Sequence, residues 1–437
     1  MSSLRERLFA LELFGIKLGL DNIAAILTAL DRPDRAWPAI HVAGTNGKGS
    51  VTAMVDCGLR AAGYRTGRYT SPHLDRIEER IAIDGRPIAA DLFDTISRDV
   101  FEVVDRLRAT GGLQAMPTFF EVTTAIAFEA FRRQRMTAAV VEVGLGGRFD
   151  ATNVITPVVG AITSIAFDHE RHLGSTLGEI AFEKAGIIKP GVPVIVGAMP
   201  GDARHVIETR AREIAAPVVD ASALVDDVHL ERGRATLSLR TPERRYADVR
   251  LALNGAHQVA NAAVAVRTLE TFASRGHALG AGAIEAALTR VEWPARLEWL
   301  RTTKPADVLI DAAHNPAGAA ALADYLGAAG VAPVPIVLSI MRDKDVDAIV
   351  APLARAASQF VATQAASPRA LSAADLGARI RSRWPSIEAT SIDEPDAALA
   401  YALDRSPRAV IAGSIFLAGP LRARLIAAGA TPVAVPA

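Results

Sequence analysis

The run Gly44-Thr45-Asn46-Gly47-Lys48-Gly49-Ser50 has the residue types of a phosphate cradle. An apolar lead-in at 39–43 reads as a short buried strand, and Val51 to Arg60 resumes at helical spacing. Backbone N–H groups of such a turn point at an anion that the helix dipole favours. Lys48 would reach the outer phosphates, and the Ser50 hydroxyl could ligate Mg²⁺. The usual pattern ends Gly-Lys-Ser/Thr, whereas here Gly49 separates Lys48 from Ser50.

Five further stretches hold chemistry-bearing side chains. Thr70-Ser71-Pro72-His73 presents a hydroxyl on a segment that Pro72 biases toward extended backbone. Thr118 and Glu121 stand in capping-box register before an apolar helix, which leaves a ligand role open. Glu142 ends an apolar run and is costly there as an ion unless a cation compensates it; Mg²⁺ and an arginine are the alternatives. Asp168-His169-Glu170 ends another such run, where open α/β sheets place their ligands, so His169 reads as a site residue. Lys184, in Glu183-Lys184-Ala185-Gly186, reads by itself as half of a surface salt bridge.

The elements that must position these groups alternate strand and helix. Helices are expected at Leu4 to Leu13 and at Asp21 to Leu30, with Asp21 as N-cap and a compact turn at 16–20 between them. Buried strands are expected at 138–143, 158–167, 193–196 and 216–219, and a helix from Glu179 to Lys189. Short alternating runs over 225–253 predict an antiparallel ribbon appended to the parallel sheet. Pro294 breaks a helical pattern, and a second βα series follows, with strands at 308–310, 335–340, 360–363 and 409–412. The fold class is therefore α/β: an N-terminal phosphate-loop domain over 1–292 and a smaller Rossmann-like domain over 293–437.

At 437 residues, half of them hydrophobic, two cores are the prior. Lys+Arg and Asp+Glu both number 48, which argues against a nucleic-acid or polybasic membrane surface. The one cysteine, Cys57, excludes an internal disulfide or a cysteine-rich metal site and reads as a small buried thiol. With no signal-peptide pattern and no long apolar run, the chain is expected to be cytoplasmic.

Together, Gly-Thr-Asn-Gly-Lys-Gly-Ser, Thr-Ser-Pro-His-Leu, Thr-Phe-Phe-Glu, Glu-Val-Gly-Leu-Gly-Gly-Arg and Glu-Lys-Ala-Gly-Ile-Ile-Lys resemble the folylpolyglutamate synthase/dihydrofolate synthase branch of the Mur ligase family. The resemblance runs from Leu18 to Ser414 and implies an ATP-dependent amide ligase. A folate or dihydropteroate carboxylate would become an acyl phosphate, and the amine of L-glutamate would displace phosphate from it. By resemblance Gly47, Lys48, Gly49 and Ser50 hold the β- and γ-phosphates. Ser71 and Glu142 ligate one Mg²⁺, and Glu142 and His169 bound a second. In relatives the lysine matching Lys184 is carbamylated, and family members are often monomers; the resemblance implies both here. Asn261, Arg296 and Asp311 match positions that contact ATP from the interdomain side. His314 and Ser414 are candidates for glutamate on a C-terminal domain that closes over ATP. Gly19, Leu20 and Asp21, Thr118 to Glu121 (with Phe119 and Phe120) and Phe149, Asp150 and Ala151 match segments lining the pterin site. Lys48, Lys184 and His169 are thus the expected catalytic groups.

Two positions depart from the family pattern: Ala295 and Ala312 stand where relatives usually carry glycine. Alanine would be strained by about 1 kcal/mol or more at either place if positive φ were required. Two other functions are compatible with a phosphate loop. A peptidoglycan-precursor ligase would need a long N-terminal uridine-nucleotide domain, yet the phosphate loop begins by residue 44. A phosphate-loop ATPase switch would not need the second βα domain.

Overall fold

The computed structural model describes residues 4–15, 19–304 and 306–435. The chain divides into two compact units, one of residues 1–224, 239–245 and 260–291, the other of 225–238, 246–259 and 292–437.

The first unit is built on a sheet whose spatial order is Arg86–Pro87, Ile81–Ile83, Thr66–Tyr69, Ala138–Glu142, Ala39–Ala43, Val159–Ile162, Val194–Val196, Val218–Asp220. From Thr66–Tyr69 onward every pairing is parallel; the first two strands add an antiparallel edge. Ala39–Ala43 and Ala138–Glu142 are buried at every position, as continuous apolar runs in a covered parallel sheet should be. The chain leaves Ala39–Ala43 toward one edge and Val159–Ile162 toward the other. A crevice therefore opens at their C-terminal ends. The phosphate loop, Glu142 and the 163–170 segment all emerge at that end of the sheet.

Several local expectations shift. The N-terminal helix stops at Ala10 and tightens into a 3-10 turn over Leu11–Phe14. Asp21 is not an N-cap: it is the first residue of the helix Asp21–Ala29, capped by Leu20 with no side-chain bond. An acid in the first turn still suits the helix dipole. The expected turn at 16–20 lies outside the described residues at Ile16, Lys17 and Leu18. Cys57 is buried on the helix Lys48–Ala61.

The ribbon departs most. Val225–Glu231, Arg234–Arg240 and Arg245–Arg250 form a three-stranded sheet of their own, and 225–238 with 246–259 belong to the second unit, not to an N-terminal domain over 1–292. The cause is packing within that unit. A Cβ on Gly233 would lie 2.5 Å from the ring of Tyr325, and Asn254 Nδ2 donates to Leu297 O at 2.9 Å.

The second unit carries a seven-stranded sheet in the order Glu388–Ser391, Ala357–Ala362, Val334–Leu338, Arg408–Ala412, Asp307–Ile310, Glu298–Arg301, Thr431–Val433. Only Glu298–Arg301 runs against its neighbours. It, Glu388–Ser391 and Thr431–Val433 were not expected, because Glu-Trp-Leu-Arg, Glu-Ala-Thr-Ser and Thr-Pro-Val contain no apolar run.

Candidate active site

Two glycines shape the phosphate loop. Gly44 (φ 146°) and Gly47 (φ 84°) hold backbone angles that suit glycine, and a Cβ would strike Thr163 Oγ1 at the first and Asn261 Oδ1 at the second. Gly47 caps the helix Lys48–Ala61, which starts three residues earlier than the apolar pattern indicated and takes Lys48, Gly49 and Ser50 into its first turn. The loop is pinned by the neighbouring strand end. Thr45 N donates to Ser164 O at 2.7 Å, and Thr163 Oγ1 and Ser164 Oγ donate to Asn46 O at 2.6 and 3.1 Å. Sequence reading passed over Thr163 and Ser164; the signal was a polar pair closing an apolar strand at the ligand end of the sheet. Asn261, on the helix His257–Ser274, is brought directly against the loop.

Lys48 Nζ donates to Gly44 O at 3.0 Å and Thr45 O at 3.1 Å, and Lys184 Nζ donates to the same Gly44 O at 2.9 Å. The two amines therefore lie within about 6 Å of each other. At that separation like charges repel by roughly 3 kcal/mol at an effective dielectric near 20. Lys184 is 4% exposed, and its pKa falls from 10.5 to about 7, through burial first and Lys48 second, against the pull of Asp168 and Asp150. The expected surface salt bridge is instead made by its neighbour: Glu183 pairs with Arg148 at 2.6 Å. Lys184 shares the buried face of Leu177–Ala185 with Ile180, Ala181 and Ala185. Its i+4 spacing from Ile180 was the available signal. The helix and the Gly144–Arg148 loop fit because both carry glycine. A Cβ on Gly147 would sit 2.9 Å from Glu183 O, and one on Gly186 would overlap Arg148 Cα.

Glu142 is buried at the end of its strand, and Ser71 N approaches its Oε2 at 3.4 Å. The Glu142 charge reaches Arg68 and Arg80; Arg68 also bonds Asp56 at 3.1 Å, and Arg80 also bonds His73 at 2.9 Å. Among the described residues no group of three or more His, Cys, Asp or Glu is gathered as for a protein-only metal cage. Mg²⁺ bound with a nucleotide needs only one or two carboxylates, with waters and phosphates completing its shell. A carboxylate at a strand end and a serine whose backbone N lies 3.4 Å from it fit that ion. His169 lies on the 163–170 segment, in left-handed backbone (φ 53°), at the N-cap of the short helix Glu170–Leu173 with its Nε2 3.9 Å from Asp168 Oδ1.

The residues matched to the pterin site divide. Thr118 caps Phe119–Arg133 in a full capping box: Glu121 N donates to Thr118 Oγ1 at 3.2 Å, and Thr118 N donates to Glu121 Oε2 at 2.7 Å. Phe120 closes on Gly144 and lies 5.9 Å from the Tyr69 ring, while Arg80 sits over Phe119 at 5.0 Å. Tyr69, His73 and Arg80 thus join this aromatic cluster, which sequence reading had given to Phe119 and Phe120 alone. His73 Nδ1 accepts from Arg80, and burial followed by that guanidinium lowers its pKa to about 4. Phe149 stacks under Arg148 at 4.4 Å. Asp150 is buried and spends its carboxylate on Leu145 N and on Thr152, so it braces the Gly144–Gly147 loop; Ala151 is buried beside it. Gly19 (φ 135°), Leu20 and Asp21 lead into their helix.

In the second unit Asp311 accepts from Leu297 N at 2.9 Å and Ala313 N at 2.8 Å, so its carboxylate holds the turn that presents Arg296. Ala295 has φ 54°, the strained case that its replacement of glycine raised; Ala312 is not in that region. His314 Nδ1 donates to Ala312 O at 2.9 Å, and Ser414 Oγ caps Ile415–Ala427 by accepting from Phe416 N at 3.1 Å.

A two-unit α/β chain with this phosphate loop and a paired lysine is the architecture of a Mur-type ligase. Family descriptions agree: the Mur ligase middle domain matches residues 88–269, and the Mur ligase glutamate ligase domain matches residues 295–415. The dihydrofolate synthase/folylpolyglutamate synthase of Mycobacterium tuberculosis is 40% identical over 375 residues, covering 80% of this chain and 75% of that protein. Its counterpart in Bacillus subtilis is 37% identical over 337 residues, covering 76% and 77%. A crystal structure of Mycobacterium tuberculosis folylpolyglutamate synthase complexed with ADP and AMPPCP aligns at a TM-score of 0.90 and 36% identity over 99% of both chains. The chain belongs to the folylpolyglutamate synthase/dihydrofolate synthase branch of the Mur ligase family and is a ligase. Among the described residues no helix is long and apolar enough to cross a membrane.

Proposed function

We propose that the protein uses ATP to join L-glutamate to folates, and to dihydropteroate as a first acceptor. The observation that carries this reading is the convergence of Lys48 and Lys184 on Gly44 O within the phosphate loop. In the first step a substrate carboxylate oxygen bonds the γ-phosphorus, the bond to the β-phosphate oxygen breaks, and ADP leaves. In the second, the glutamate amine bonds the acyl carbon, phosphate departs with the electron pair, and the amine gives up a proton. Both steps are matters of positioning and charge neutralisation. The N–H groups opening Lys48–Ala61 and the Lys48 ammonium hold the phosphates, and Asn261 closes the loop beside them. Ser71 and Glu142 would hold one Mg²⁺, and Glu142 and His169 a second; Mg²⁺ bound there would neutralise phosphate oxygens.

Lys184 is read as a carbamate. Its neutral amine bonds CO₂ and releases one proton, replacing a cation beside Lys48 by an anion and removing the repulsion described above. A pKa of about 7 leaves much of the amine neutral at physiological pH. Arg296 contacts the nucleotide, and His314 and Ser414 take glutamate.

One observation favours a narrower activity, elongation of existing folates only. The capping box already engages Glu121 and Thr118, the residues that would receive a pterin lying close to the metals. The two readings part in parallel assays with dihydropteroate and tetrahydrofolate. The broader reading predicts product from both, with Thr118→Ser, which keeps the cap, weakening only the dihydropteroate reaction. Good elongation of tetrahydrofolate with no product from dihydropteroate leaves only the narrower one.

A further inference from the structure

The turn around Arg296 is gripped on both sides, by Asp311 and Ala312 and also by Asn254 and Glu298, which have no part in the proposed function. Ala295 and Leu297, which flank Arg296, both lie in left-handed backbone, at φ 54° and 48°. Neither is glycine, so each is held against a preference for other backbone regions. Every backbone polar group of these two residues has a partner. Ala295 N donates to Glu298 Oε2 at 2.8 Å, and Ala295 O accepts from Ala312 N at 3.1 Å. Leu297 N donates to Asp311 Oδ2 at 2.9 Å, and Leu297 O accepts from Asn254 Nδ2 at 2.9 Å. Glu298 is itself fixed by a bidentate pair with Arg422 at 2.7 and 2.8 Å. The side chains of Ala295 and Leu297 are buried, so the turn cannot swing outward to relax.

The geometry also links this grip to the guanidinium. Arg296 Nη1 donates to Ala295 O at 2.9 Å, so the direction of that carbonyl orients the charged group. We propose that Asn254 and Glu298 are positioning residues: they lock the strained turn on either side of Arg296 and so aim its guanidinium at the nucleotide without touching it. Asn254 belongs to the Asn254-Gly255-Ala256-His257 run, which no other part of the site uses, and Gly255 lets that run lie close to Leu297. The proposal rests on the reading that Arg296 contacts ATP.

Steady-state kinetics with ATP varied test it in the intact enzyme. Asn254→Ala and Glu298→Ala should each raise KM for ATP about tenfold while kcat stays within about threefold, since a displaced contact weakens binding of the group it serves. Glu298→Gln keeps an acceptor for Ala295 N–H and should stay near the parent. Ala295→Gly, which adopts φ near 54° without strain, should restore KM in either alanine variant. In an Arg296→Ala background Asn254→Ala and Glu298→Ala should change KM no further. Equal increases with and without Arg296, or unchanged KM in the single variants when Arg296→Ala raises it, overturn the proposal.

If Arg296→Ala alone leaves KM for ATP unchanged, the nucleotide reading is what fails. The clamp is then judged by thermal unfolding. Ala295→Gly should raise the Tm of the parent by roughly 2 °C, and by less than half as much once Asn254 or Glu298 is replaced, because an unclamped turn has already relaxed. Equal gains in all backgrounds overturn it.

Discussion

Lys184 shows how much one side chain's setting decides. Its neighbour Glu183 takes Arg148, and the lysine turns inward to Gly44 O beside Lys48. Residue types alone do not say which of two adjacent charges is buried, and they read Lys184 as the surface partner; the helical spacing from Ile180 was the signal left unused, and the family resemblance supplied a role. Because the folded pKa, about 7, lies below the free value of 10.5, the unfolded chain binds the extra proton between those limits. Burial of this lysine therefore costs stability in full below pH 7, and the cost fades as pH rises toward 10.5. Lys184→Met should raise Tm by several degrees at pH 6, by much less near pH 10, while removing ligase activity. If the residue is carbamylated, ¹³C-bicarbonate should give a carbamate resonance in the parent at pH 8 and none in Lys184→Met. A Tm gain independent of pH, or the absence of that resonance, would count against this account of Lys184.

Among elements, the apolar strands at 39–43 and 138–142 and the capping box at Thr118 were legible because each obeys a local rule: an unbroken apolar run, or a cap and its partner three residues apart. The strands Glu298–Arg301, Glu388–Ser391 and Thr431–Val433 obeyed none and are strands because of what they pair with. Asp21 had the chemistry of a cap and sits one residue too late. The close fit of helix Leu177–Ala185 to the Gly144–Arg148 loop can be probed with two glycines. Gly178 has open surroundings, its nearest neighbour 3.8 Å away, so Gly178→Ala should stabilise by about 0.5–1 kcal/mol through helix propensity. Gly186→Ala would drive a methyl into the Arg148 backbone, where side-chain rotation gives no relief, and should destabilise by about 1–3 kcal/mol and lower kcat by displacing Lys184. Denaturant unfolding checks both; a neutral Gly186→Ala would mean that helix and loop are not in close register.

At the scale of the whole molecule, the chain passes from one compact unit to the other between Val291 and Glu292, and the helical pattern breaks at Trp293-Pro294 before a second βα series. The ribbon over 225–259 went to the wrong unit because alternation reveals a strand but not the surface it packs on, which here includes Tyr325 and Leu297. The strain at Ala295 was visible only as a condition on φ, and the folded chain meets that condition. In the proposed function ATP cleavage is coupled to formation of an amide between folate and glutamate. Purified protein with ATP, Mg²⁺, L-glutamate and tetrahydrofolate should release ADP in equal amount to glutamylated product, read by mass spectrometry. Omitting either acceptor should stop it, and Lys48→Ala should retain less than about a tenth of the turnover at saturating ATP, as expected where charge neutralisation dominates. ADP released at the same rate without folate or glutamate, or ADP with no glutamylated product, would contradict the account.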